Sequence, residues 1–331
     1  MRPIGYARAT AVSQAVKAVS GDRDSTYLAG GTTQVDLLRQ GVFGHATLID
    51  INALPLTGID RTDDGGTRIG ALARMSDVAA DPAVRDHLPL VAESLELSAS
   101  AQLRHMASIG GNLLQRVRCG YYRDGASPCN KRAPGSGCAA LTGVNRNHAV
   151  LGVSDRCIAV HPSDLAVALT ALDARVLTAT TTGERAHHID DFFLEPGDTP
   201  EREHPLEHGE LITAVEIPDT PTARNSRYLK LRDRQSYEFA LVSVAATLRV
   251  EHGLVTGVRL ALGGVATKPW RARQAEGMLL GGTADAQTYA VAARAEMAAA
   301  RPTPANAFKV ELAQRAIVRA LTSLTPAGGA A

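Results

Sequence analysis

The chain has 331 residues, with 35 Lys+Arg against 34 Asp+Glu and a formal net charge of +1. A near-neutral chain has no global field to draw it onto nucleic acid or an acidic membrane surface, and 4% aromatics removes the stacking platforms of a single-strand binder. Hydrophobic residues at 45% and charged residues at 21% match folded usage and exclude a disordered chain; the length suits two domains or a little more.

In chain order, Ala11, Val12, Ala15, Val16 and Val19 recur at helical spacing, and the helix stops at Gly21. TYLAGGT reads as a short buried strand entering a glycine turn, VDLLRQG as a helix stopped by Gly41, and HATLIDI as the next strand. RIGAL is a predicted strand, and a helix begins after Arg74 with Ser76 and Asp77 as candidate caps. A helical stretch over 89–98 then leads to a second glycine turn, SIGGN. From Arg116 to Arg156 periodicity disappears, and a structureless stretch this long in a compact domain is functional or disordered.

After it, HPSDLAVALTALDA reads as an apolar helix, ARVLTATTT as a strand, and 195–209 as polar loop. RYLKL through LALGGV is predicted to form two or three strands with a turn at HG, before an alanine-rich helical tail. The linker PDTPTARNS divides the chain into domains 1–222 and 223–331, with a cysteine-rich insert at 116–158. The opening lacks an apolar h-region, and apolar runs such as Leu165 to Leu172 fall short of the ~20 residues of a spanning helix. The expected location is therefore cytoplasmic, or periplasmic if a signal-bearing partner carries the folded chain across.

Two loops carry ligand-binding chemistry. In LAGGTTQ (Leu28, Ala29, Gly30, Gly31, Thr32, Thr33, Gln34) the glycines let backbone N–H groups approach a ligand, and the next helix opens toward the same point. That suits a pyrophosphate. The segment is neither GxGxxG nor a P-loop, so Rossmann and NTPase sites are excluded. SIGGN (Ser108, Ile109, Gly110, Gly111, Asn112) repeats the logic with an asparagine that donates and accepts. Each turn alone is also an ordinary structural feature; the two together suit a dinucleotide held at both phosphates.

All four cysteines, Cys119, Cys129, Cys138 and Cys157, fall in the insert with spacing C-x9-C-x8-C-x18-C. The close C-x2–4-C pairs of structural zinc sites are missing, which argues against a zinc ribbon, whereas a [4Fe–4S] cube is larger, takes one thiolate per corner and tolerates wide spacing. Free core thiols are the bland alternative. Arg116, Arg118, Arg123, Lys131 and Arg132 surround the window and are expected to lower the thiol pKa values. Cys119 lies seven residues after Asn112, so whatever the cysteines hold lies within roughly 25 Å of whatever SIGGN holds.

With LAGGTTQ, ASIGGNLLQ, HPSDLAVAL and LKLRDRQSYEFALVSVAATL in this order, the chain resembles the FAD-binding middle subunit of molybdenum hydroxylases, the xanthine dehydrogenase family. The insert CGYYRDGASPCNKRAPGSGC narrows the resemblance to the FAD subunit of bacterial three-subunit aldehyde oxidoreductases, which carries an extra [4Fe–4S] cluster. This implies an α+β fold: a two-subdomain FAD-binding domain of the vanillyl-alcohol-oxidase (PCMH) type, then a small C-terminal α/β domain with a three-stranded antiparallel sheet. It implies that Leu28 to Gln34 hold the pyrophosphate, Ser108 to Asn112 form the second FAD loop, Asp164 meets the ribityl or ribose region and Lys230 lies near the isoalloxazine. It makes Ile212, in ELITAVEIP, a candidate to pack on the flavin and the four cysteines the cluster ligands.

The implied partners are a large subunit with a molybdenum cofactor and a small subunit with [2Fe–2S] clusters, with oxygen, a ferredoxin or another external acceptor receiving the electrons. The implied reaction is aldehyde plus water to carboxylic acid, on a partner chain, with no catalytic acid or base here. Simpler alternatives stay open at single residues: Ser163 and Asp164 as helix caps, Lys230 with Arg232 and Arg234 as a solvated basic edge, His161 as structural, and His187 and His188 on the surface. At the level of function the alternatives are a self-contained FAD oxidase or reductase, a hydroxybenzoyl-CoA-reductase-like or xanthine-dehydrogenase-like complex, and a zinc-stabilised interaction module.

Overall fold

The computed structural model describes residues 3–326. Its strands form three sheets. Strands β1 (Gly5–Arg8), β2 (Ser25–Leu28) and β3 (Thr47–Asp50) make a parallel sheet in the order β1-β3-β2. The helix Val12–Ser20 connects the first two; it buries Ala15, Val16 and Val19, and Gly21 closes it by donating its N–H to Lys17. The helix Gln34–Arg39 connects β2 to β3, and Gly41, at φ +74°, turns the chain in the left-handed conformation that glycine tolerates.

The second sheet comprises β4 (Ile59–Arg61), β5 (Thr67–Gly70), β6 (Arg175–Thr180), β7 (Gly183–His188) and β8 (Leu211–Ile217), in the antiparallel order β4-β5-β8-β6-β7. The third holds β9 (Ser226–Leu231), β10 (Val242–Glu251), β11 (Leu254–Gly263) and β12 (Trp270–Arg271), in the antiparallel order β12-β11-β10-β9. It therefore has the three expected long strands plus a two-residue fourth. The helices Arg273–Leu279, Ala286–Met297 and Phe308–Leu324 pack against it around an aliphatic core that includes Val244, Leu260, Ala293 and Ile317. Among the described residues no helix is long and apolar enough to cross a membrane.

Helix Asp164–Ala171 joins the two halves. All eight of its residues are buried, because it packs on the helix Pro89–Glu96 on one side and on β10 and β11 on the other. A helix apolar all round belongs inside, and DLAVALTA fits that rule. Ser163 caps it, accepting the Ala166 N–H at 2.9 Å.

Local expectations fail at four places. Ser76 and Asp77 do not cap the helix Met75–Ala80; its extended N-cap is Arg74, and the Ser76 hydroxyl donates to Asp77 instead. SIGGN is not a turn but the first coil of a short helix, Ile109–Leu113, since Ser108 accepts the Gly111 N–H and starts it. β1, β4, β7 and β8 were not expected as strands; pairing with β3 holds β1 extended, β5 holds β4, β6 holds β7, and β5 and β6 together hold β8. The insert is not structureless. The short helix Gly120–Arg123 and a 3₁₀ turn at Ala139–Leu141 sit in a web of side-chain-to-backbone bonds, among them Arg132 to the Tyr121 and Tyr122 carbonyls at 2.7 Å each.

Leu169, fully buried in the joining helix, is the place to test this packing. Leu169→Ala is expected to lower stability by about 3 kcal/mol, read as a fall in the unfolding midpoint, whereas Val291→Ala, at 41% exposure, is expected to leave it within about 0.5 kcal/mol.

Candidate functional site

The two glycine segments meet. A Cβ on Gly30 would lie 1.9 Å from the Met106 carbonyl oxygen, so only glycine allows the first loop to press on the chain entering the second. Two residues that the sequence did not mark as part of a site, Asn52 and Arg74, clamp this contact. Asn52 donates from Nδ2 to the Ala29 carbonyl at 3.0 Å and accepts from Arg74 at 2.9 Å, and Arg74 donates to the Met106 carbonyl at 2.6 Å. Asp50 holds Asn52 from below at 2.7 Å, and Tyr6 donates to Asp50. No local pattern marks Asn52 or Arg74.

A cavity of about 290 Å³ opens over the joint, walled by Ala29, Gly30, Gly31, Thr32, Thr33, Gln34, Ser108, Gly110, Gly111 and Ile212. Leu28, Ile109 and Asn112 are not in its walls; they support from behind. The two loops differ in what they offer. In SIGGN the N–H groups of Ile109, Gly110, Gly111 and Asn112 are engaged by Ala73, Ala71, the Ser108 hydroxyl and the Ser108 carbonyl. In LAGGTTQ the N–H groups of Gly30 through Gln34 meet no acceptor among the described residues, and the buried Gln34 Nε2 is likewise unpaired. Orphaned amides at a strand-to-helix turn are an anion-binding surface. Glu210 closes the far wall. Burial raises its pKa, and hydrogen bonds from Thr178 and His187 outweigh that and hold the carboxyl below its usual range. His187 is thus half-buried and paired, not a free surface residue.

A second cavity of about 880 Å³ lies between the two halves, walled by His161, Asp164 and Val167 on one side and by Asp233, Phe239, Leu241 and Gly264 on the other. Asp164 does not cap its helix. Its carboxylate accepts from Ser98 at 3.1 Å, Tyr228 at 2.8 Å and Lys230 at 2.8 Å, and both side chains of the ion pair are almost wholly buried. Lys230 is therefore no solvated edge: the end of the helix Pro89–Glu96 covers its face of β9, and both Lys230 and Arg232 donate to the Leu97 carbonyl. Burial, and the charge of Asp164, push the Tyr228 hydroxyl well above the ordinary tyrosine range. Burial pushes the His161 imidazole down to about 4. Ser163 ties this cavity to the first loop pair by donating to Asn112 at 2.5 Å.

The four cysteines are free thiols that line one small enclosed cavity, with Cys129 and Cys138 facing each other across a bridge between extended segments. No three His, Cys, Asp or Glu side chains among the described residues converge as they would around a single ion. Cys119 also lines the larger cavity, so the two spaces share a wall. The surrounding cations do not lower the Cys119 and Cys157 thiol pKa values as expected. Glu203 pairs with Arg116 and Lys131, and Asp36 with Arg123; burial pushes Cys119 up to about 11 and raises Cys157 despite Lys131.

Residues 2–220 match the family described as the FAD binding domain in molybdopterin dehydrogenase, and residues 227–324 match the CO dehydrogenase flavoprotein C-terminal domain. The aldehyde oxidoreductase FAD-binding subunit PaoB of Escherichia coli K12 is 45% identical over 97% of this chain and 98% of its own. The chain is an FAD-binding medium subunit of the molybdenum hydroxylase family. It is thus a subunit of an oxidoreductase. Among more distant relatives, the glyceraldehyde dehydrogenase medium chain of Sulfolobus acidocaldarius is 27% identical over 83% of this chain and 80% of its own. The fold of this medium subunit is also that of a chain in the carbon monoxide dehydrogenase of Hydrogenophaga pseudoflava, with a TM-score of 0.75, 24% identity and coverage of 98% and 97% of the two chains.

Two variants test the site. Gly30→Ala drives a methyl group into the Met106 backbone and is expected to strip flavin absorbance from the purified protein, while Gly277→Ala, with nothing within 4 Å of its Cβ position, retains it. Lys230→Met strands the buried Asp164 carboxylate and is expected to destabilise the fold by about 3–5 kcal/mol, read by thermal unfolding.

Proposed function

We propose that this chain is the FAD and [4Fe–4S] electron-transfer subunit of a molybdenum-dependent aldehyde oxidoreductase. A large partner with the molybdenum cofactor would oxidise an aldehyde with water to a carboxylic acid, and a small partner with [2Fe–2S] clusters would pass the electrons here. The aldehyde class rests on the relative at 45% identity. The observation that carries the cluster is the meeting of four free thiols, spread over the insert, at one enclosed cavity that shares Cys119 with the large one.

On this reading residues 1–222 form the FAD-binding unit and 223–331 the C-terminal unit, of which 327–331 lie outside the described residues. The orphaned amides of Gly30 to Gln34 would hold the pyrophosphate, with Leu28 and Ala29 leading into them. Ser108, Gly110 and Gly111 would give a close surface without side chains, with Ile109 and Asn112 as support, and Ile212 an apolar wall. Asp164, fixed by three donors, would face the ribityl chain, with Lys230 neutralising its charge from behind. Bound FAD would take up electrons one at a time from the partner's clusters, store two, and so couple them to an external acceptor. Cys119, Cys129, Cys138 and Cys157 would hold the cluster, binding as thiolates, so loading would release thiol protons.

The test is an iron, sulfide and flavin count on the complex purified without oxygen. Cys129→Ser is expected to lose about four irons per copy and to keep its FAD. Unchanged iron would remove the ligand assignment, and turnover of an aldehyde by this chain without partners would favour a self-contained flavoenzyme.

A further inference from the structure

His148 sits against Cys119, which lines both the cysteine cavity and the large one. It is 8% exposed, lines the large cavity beside Cys119, and places Nε2 3.2 Å from the Cys119 sulfur. Its backbone is pinned at both ends: the N–H donates to the Asn145 carbonyl at 2.9 Å, and Asn306 donates to its carbonyl. Nδ1 is buried with no hydrogen-bond partner among the described residues. A proton on Nδ1 would be a buried donor without an acceptor, whereas a proton on Nε2 points at sulfur, so the ring is held in the Nε2–H tautomer. Cys157 receives only a backbone N–H, from Ala159 at 3.5 Å. His148 is the one side chain among the described residues that bonds to any of the four sulfurs.

We propose that His148 donates this hydrogen bond to the Cys119 thiolate of the bound cluster and thereby raises the cluster's reduction potential. The inference rests on the [4Fe–4S] reading above. Reduction adds one electron to a cluster already made negative by four thiolates, and a donor at one sulfur stabilises the reduced form more than the oxidised one. Its place on the side facing the flavin cavity puts the donor on the ligand that both spaces share. His148 acts through Cys119 and is a positioning residue, not a catalytic one.

The test uses the whole complex, purified without oxygen, with iron and flavin counts and a redox titration followed by electron paramagnetic resonance. His148→Ala is expected to keep its iron and FAD while the cluster's potential falls, with an about tenfold shift in the oxidised-to-reduced ratio, ~59 mV for a one-electron couple. His148→Gln, whose amide can still donate, is expected to recover part of that shift. A full iron count with an unmoved potential in both variants would overturn the proposal and leave the cluster assignment standing. Absence of the extra iron from the unaltered complex would overturn both. Should His148→Ala lose iron, the titration of iron-replete His148→Gln decides: a potential below that of the wild type supports the donor role, and one at or above it overturns it.

Discussion

The buried pair of Asp164 and Lys230 holds the molecule's two halves in register. Asp164 opens the fully buried helix Asp164–Ala171, and Lys230 comes from β9, the edge strand of the third sheet. Burying both charges costs several kcal/mol per ion unless each is fully bonded. The structure meets that demand with Ser98, the adjacent Leu97 carbonyl and Tyr228, drawn from two separate segments. Such a cluster is satisfied in one arrangement only, so it specifies how the C-terminal sheet docks, and with it the width of the large cavity.

The insert follows another logic. It has little regular structure and contributes few apolar residues to a core: Val117, Tyr122, Cys129 and Cys157 to a small cluster, and Val150 and Leu151 to the core of the third sheet. What orders it is polar: Arg132 gathers carbonyls from within the insert, and Lys131 reaches out to Glu203 and the Pro200 carbonyl. Glu203 also takes Arg116, a wall residue of the smaller cavity. One buried carboxylate therefore fastens the cysteine loop to the glycine-loop region, and its two cations hold it ionised against its own burial.

Features that a single stretch of residues determines were readable from the sequence. LAGGTTQ announces a close backbone approach, the cysteine spacing announces a shared site without zinc pairs, and DLAVALTA announces a buried helix. Features that depend on what lies across the fold were not. Alternation in RYLKLRDR assigns Lys230 the same face as Arg234, but only the tertiary structure shows that Leu97 covers Lys230 and leaves Arg234 outside. The basic residues around the cysteines looked like a field acting on thiols because their carboxylate partners, Asp36 and Glu203, lie far off in sequence. Asn52 and Arg74, which clamp the loops, are 22 residues apart and carry no local signature. SIGGN was misjudged because two glycines signal a turn, while the Ser108 cap that coils them is equally a turn residue.

The two cavities also differ in when they can exist. Every wall of the smaller one lies between Thr26 and Ile212, whereas the larger one needs Asp233 to Gly264 to close over Asp164. A chain leaving the ribosome folds from its N-terminal side first, so every wall residue of the smaller cavity has been made about fifty residues of synthesis before the larger one has a roof. A cofactor long enough to occupy both spaces can therefore dock at one end on the growing chain, and its capture is finished only when the third sheet arrives.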